Sequence, residues 1–119
     1  MHAFANENGL DHCSILIAED SISSRQVALG LLRMLGFIQI EAFDNGQQVI
    51  AAMASKRYHI VLMDIHMPIM NGLAATQIIR NPTSLVLDHD IPIVAITGCV
   101  LKGDLQQVLS PGVPLFCIF

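Results

Sequence analysis

The sequence is poor in charge, and that poverty excludes several classes of function. Charged residues make up only 13% of the 119 positions, and just six are Lys or Arg. Apart from the adjacent Lys56 and Arg57 they are spread singly, so no basic patch forms and nucleic-acid binding is not expected. Long apolar runs are also missing. The longest, Ile91 to Leu101, is broken by Pro92, Thr97 and Gly98 and falls short of the roughly 20 residues a membrane span needs. Met1 to Ser14 lacks the basic start and apolar stretch of a signal peptide. Cys13, Cys99 and Cys117 are odd in number, far apart and without metal-site spacing. They read as free thiols of a reducing compartment. The turn Glu19-Asp20-Ser21 contains no glycine-rich phosphate loop, which disfavours a plain nucleotide-binding fold. Together these absences point to a soluble intracellular domain, cytoplasmic or nuclear.

What is present is apolar. Hydrophobic residues reach 53% with a net charge of −4, which excludes disorder and fits one packed domain. Residues 1–13 are polar and without periodicity and read as a loose lead-in; residues 14–119 read as the domain. Ile15 to Ala18 is a buried-strand pattern. Val27, Ala28, Leu31, Leu32 and Leu35 recur at helical spacing over about 22–35, and Gly36 stops that helix. Phe37 to Phe43 is a more polar strand, expected nearer an edge. Asp44-Asn45-Gly46 is a turn able to cap the helix that carries Val49, Ile50 and Met53. His59 to Met63 is a third strand. Ala74, Ala75, Ile78 and Ile79 mark a third helix ending before Pro82, and Ile93 to Ile96 a fourth strand. Leu101, Leu105, Val108 and Leu109 outline a fourth helix, and Val113 to Phe119 a fifth strand. This strand–helix alternation predicts an α/β fold with a parallel sheet covered on both faces.

In such sheets, sites form outside the carboxyl ends of the strands. Strand 1 ends in Glu19-Asp20, strand 3 in Asp64 and strand 4 in Thr97-Gly98. Taken alone, Asp20 could cap a helix, Glu19 could be a solvated loop charge, and Thr97 could bond its own backbone. Their joint placement at three strand ends favours a site. Three clustered carboxylates repel one another unless a cation sits between them. Oxygen ligands suit a hard ion such as Mg²⁺, which leaves room for phosphate oxygens. A carboxylate beside that ion can take up a phosphoryl group, so the chemistry suggests Mg²⁺-dependent phosphoryl transfer to Asp64, with Thr97 donating to a phosphoryl oxygen.

The segments Ile15 to Asp20, Val61 to Gly72 and Pro92 to Thr97 resemble the receiver domain of two-component response regulators, in the style of receivers attached to hybrid histidine kinases. The stretch around Asp64, with Met67-Pro68, Met70 and Asn71-Gly72 behind it, carries the resemblance most specifically. The resemblance implies a flavodoxin-like doubly wound sheet of order 2-1-3-4-5. It implies that Asp64 is the phosphoacceptor and a Mg²⁺ ligand, that Asp20 binds the metal directly and Glu19 through water, and that the backbone carbonyl of His66 is a further ligand. Thr97 would be the switch hydroxyl and Phe116 the aromatic switch residue. The donor would be a phosphohistidine on a histidine kinase or histidine phosphotransfer protein, and autodephosphorylation by in-line water would follow. The His66 imidazole lies beside the site in the family, where it can influence phosphoryl lifetime; taken alone, it reads as an exposed loop side chain with no such effect.

The pattern departs from the family at its end. Aligned from Gly112, Phe119 stands where receivers carry a Lys, Lys102 is no substitute, and no fifth-helix segment follows. The conserved-type Lys is therefore expected to be missing and the switch incomplete. An absent final helix would leave the first helix and one sheet edge uncovered, so a partner, a homodimer or a swapped arrangement is expected. The run Val113 to Phe119 would then be buried or prone to aggregation. Two functions stay open: a phosphorelay receiver, and a degenerate receiver that occupies a kinase or partner without being phosphorylated. No stand-alone enzyme activity is expected beyond phosphoryl acceptance and its reversal. An aspartate-based phosphatase is disfavoured, because the second Asp such enzymes need two residues on is replaced by His66.

Overall fold

The computed structural model describes residues 10–96. A short 3₁₀ turn, Leu10–His12, lies inside the stretch read as a lead-in. Four strands follow, β1 (Ser14–Ala18), β2 (Gln39–Phe43), β3 (Ile60–Asp64) and β4 (Ile93–Ile96), with helices α1 (Ile22–Met34), α2 (Gly46–Ser55) and α3 (Gly72–Arg80) between them. The sheet is parallel, in the order β2-β1-β3-β4. This matches the first four positions of the expected order, with β2 at the edge. The fourth helix, the fifth strand, Thr97, Cys99, Phe116 and Cys117 lie outside the described residues.

Handedness decides which face each helix covers. The step from β1 to β2 runs one way across the sheet, while β2 to β3 and β3 to β4 run the other way. Right-handed crossovers therefore put α1 on one face and α2 with α3 on the opposite face. The α2/α3 face holds the main core: Leu16, Ala18, Val61, Met63, Ile93 and Ala95 from the strands, against Val49, Met53, Ala75 and Ile79. Strand alternation sends Ile15 and Ile17, also fully buried, to the α1 face. The α1 helix buries no residue completely, and Val27, Leu31, Met34 and Leu35 are exposed along one side.

Local chemistry sets the boundaries. The Ser21 Oγ, not Asp20, caps α1 by accepting from the Ser24 N–H. The helix ends one residue earlier than its apolar spacing predicts, because Leu35 is the C-cap and Gly36 takes φ 107°. Gly36 N–H then donates to Arg33 O and Phe37 N–H to Leu32 O, a Schellman closure that uses Phe37 and delays β2 to Gln39. Asn45 and Asn71 cap α2 and α3 through their side-chain oxygens. The strand read as His59 to Met63 runs one residue later, and Asp64 is its last residue. His59 instead clamps the start of β1: Ser14 N–H donates to His59 Nδ1, and His59 N–H donates to Ser14 O.

Two predictions follow from packing and charge. Gly30 sits exposed within α1, with nothing within 4 Å of an added Cβ. Gly30→Ala is expected to stabilise the fold by about 0.5–1 kcal/mol, measured by chemical denaturation. Glu41 accepts hydrogen bonds from Lys56 and from Tyr58, and these hold its carboxyl below its ordinary value. A lowered carboxyl pKa contributes stability above the unfolded value, which is lost as the pH falls through the folded one. The stability gap between wild type and Glu41→Gln should therefore close as the pH drops below 4.5. As a surface pair it should be worth no more than about 1 kcal/mol.

Candidate functional site

The carboxyl ends of β1 and β3, neighbours in the sheet, bring three acids together. One carboxylate oxygen each from Glu19, Asp20 and Asp64 lies within 4.8 Å of the others. Glu19 and Asp64 are buried, at 6% exposure each, and Asp20 is exposed. Glu19 is thus not the solvated loop charge it resembles when considered alone. The register pairs Asp64 with Ile96, the residue before Thr97.

The charges are poorly accommodated by protein groups. Burial, then a hydrogen bond with Asp64, then the charges of Asp64 and Asp20 push the Glu19 carboxyl up to about 7. The Ser21 N–H, which donates to Glu19 Oε2 at 3.1 Å, pulls it the other way and does not prevail. Asp64 Oδ1 accepts the His66 N–H at 3.2 Å. This donor set contains only oxygen, gathered from two rigid strand ends, and suits a hard divalent cation. A cation would offset both the burial and the repulsion that raise the Glu19 carboxyl.

Three sets of bonds aim these acids. Glu19 N–H donates to Phe43 O, so the β1–β2 ladder continues into the acidic loop. Arg25 Nη1 donates to Glu19 O and pairs with Asp44, tying that loop to the turn after β2. Behind Asp64, Gly72 N–H donates to Ile65 O, closing the loop that carries His66. A Cβ on Gly72 would fall 2.1 Å from Asp64 O, so only glycine fits there. Within the loop, Met70 N–H donates to Pro68 O around Ile69 at φ 69°, a strained γ-turn for a β-branched residue. The sequence places the acids at the rim but does not show that Asn45 and Gly46 are buried beside this loop. The Asn-Gly pair signals only a turn.

Comparison with known proteins agrees with this geometry. The profile of the response regulator receiver domain matches residues 15–116. The chain is 38% identical over 100 residues to two-component system protein A of Emericella nidulans, covering 82% of this chain and 14% of that protein. It is 38% identical over 103 residues to hybrid signal transduction histidine kinase I of Dictyostelium discoideum, covering 83% of this chain and 6% of that protein. The chain therefore spans only a small part of the curated relatives it matches. The crystal structure of the receiver domain of a sensor histidine kinase from Pseudomonas aeruginosa has a TM-score of 0.69 and 31% identity, over 79% of this chain and 74% of that one; it has magnesium coordinated in its active site cleft. With the sheet order, the acidic rim and the profile match in agreement, this chain belongs to the response regulator receiver domain family of two-component phosphorelays.

Proposed function

We propose that Asp64 accepts a phosphoryl group from a phosphohistidine on a histidine kinase or histidine phosphotransfer protein. The observation that carries this is the convergence of the Glu19, Asp20 and Asp64 oxygens within 4.8 Å at adjacent strand ends. An Asp64 carboxylate oxygen attacks phosphorus, the phosphorus–nitrogen bond of the donor breaks, and the imidazole leaves as the acyl phosphate forms. Water attacking the acyl phosphate in line returns Asp64 and free phosphate. Asp20 and Asp64 would hold Mg²⁺ directly, Glu19 through water, and the His66 carbonyl would add a further oxygen. Mg²⁺ bound there supplies positive charge that shields the entering phosphoryl oxygens. The His66 N–H holds Asp64 Oδ1 and so fixes the orientation of the carboxylate for attack. Thr97 would donate to a phosphoryl oxygen, and Phe116 would act as the aromatic switch.

The Mg²⁺-bound relative from Pseudomonas supports the metal assignment, and the kinase relatives support the class of donor. We assign the chain to the cytoplasm or nucleus and residues 14–119 to one receiver unit. The exposed α1 stripe of Val27, Leu31, Met34 and Leu35 is the surface that a donor domain, or a second copy, would cover.

Incubating the chain with a small-molecule phosphodonor and Mg²⁺ should add one phosphoryl group to the intact mass. Asp64→Asn should gain none, and chelation of Mg²⁺ should abolish the gain. An adduct that persists in Asp64→Asn, or none on folded wild type, would refute the assignment.

A further inference from the structure

Gly46 carries no functional group, yet it touches the loop behind Asp64. It is buried at the first position of α2, and among the described residues only Gly36 is a glycine with positive φ. Backbone freedom is therefore not what position 46 requires. Space is: a Cβ there would lie 2.6 Å from Met70 O, 2.9 Å from Met70 Cγ and 3.0 Å from Ala75 Cβ. The same Met70 carbonyl accepts the Gly46 N–H at 2.8 Å.

We propose that Gly46 is a positioning residue for the acidic site, setting the placement of the Asp64–His66 segment through the Met70 carbonyl. The proposal rests on the reading of Asp64 as a phosphoryl acceptor beside a divalent cation. The loop is stiff enough to transmit a push. Its base is closed by Gly72 N–H on Ile65 O, its middle is anchored by buried Met67, and its apex is the Ile69 turn. A side chain at 46 must drive the Met70 carbonyl outward, because backbone cannot swing aside as the end of a side chain can. The displacement then reaches Ile69, already held at φ 69°, and passes toward His66 and its N–H on Asp64 Oδ1. The turn that contains Gly46 also supports the other acidic loop, since Phe43 O accepts the Glu19 N–H and Asp44 holds Arg25. Both acid-bearing loops thus take their position from residues 43–46.

The test compares the full-length wild type with Gly46→Ala, Gly46→Ala/Ile69→Gly and Val49→Ala. Val49 is a fully buried residue of the same helix, so its truncation lowers stability while adding no atom against the Met70 carbonyl. Two quantities are read on folded protein: the Mg²⁺ dissociation constant by calorimetry, and the His66 backbone amide signal by NMR without metal. Gly46→Ala should weaken Mg²⁺ binding at least tenfold and move the His66 signal. Ile69→Gly should restore both substantially, because glycine at the turn absorbs the displacement before it reaches His66. Val49→Ala should change neither. Equal losses in Gly46→Ala and Val49→Ala, or an unmoved His66 signal, would overturn the proposal and leave Gly46 a packing residue. Should wild type bind no Mg²⁺ while the His66 signal still moves and returns, positioning stands and the metal reading falls. If Gly46→Ala does not fold, the Gly46 amide of wild type decides: its hydrogen exchange should slow several-fold on adding Mg²⁺, and unchanged exchange with Mg²⁺ bound would overturn the proposal.

Discussion

Glu19 and Asp64 occupy one buried space, where a negative charge on Glu19 is costly without a counter-charge. The parallel sheet makes this unavoidable. Strands β1 and β3 are neighbours, their carboxyl ends lie at the same rim, and each ends in acid. Burial raises the cost of the second charge, and Glu19 answers by keeping its proton up to about pH 7. A divalent cation resolves this, because it replaces a proton on Glu19 with a stronger positive charge within the same acidic cluster.

Everything around the rim serves to hold that arrangement. The core on the α2/α3 face fixes β1 and β3 relative to one another through Leu16, Ala18, Val61 and Met63. The Arg25–Asp44 pair and the Phe43 carbonyl hold the acidic loop from one side, and Gly46 and Gly72 hold the Asp64 loop from the other. The strain at Ile69 is consistent with this division of labour. An exposed β-branched residue at positive φ gains little from packing, so its conformation is imposed by the bonds at Pro68, Met70 and Gly46.

Much of this is legible in the sequence, for a physical reason. Buried parallel strands are short apolar runs, and an acid that closes such a run has to lie at the rim, so Asp64 and Glu19-Asp20 can be placed without coordinates. Boundaries are less legible where a turn consumes residues. Phe37 and Ile38 look like strand, but Phe37 is used to close α1. Glu19 illustrates the limit for charge: its letter and its loop position suggest solvation, and only the neighbouring strand buries it. The role of Gly46 depends on a contact with Met70, distant in sequence, that no local pattern encodes. The assignments of Thr97 and Phe116 rest on resemblance, since both lie outside the described residues.

The central claim is that Mg²⁺ binding among the three acids displaces a proton from Glu19. The most direct measurement is calorimetric titration of Mg²⁺ at pH 7 in buffers of different ionisation enthalpy, which counts protons released on binding. With Glu19 titrating near 7 in the metal-free site, roughly half a proton should be released per ion. The release should vanish in Glu19→Gln, and affinity should rise from pH 6 to pH 8 as the competing proton leaves. Binding with no proton release and no dependence on pH over that range would contradict the account.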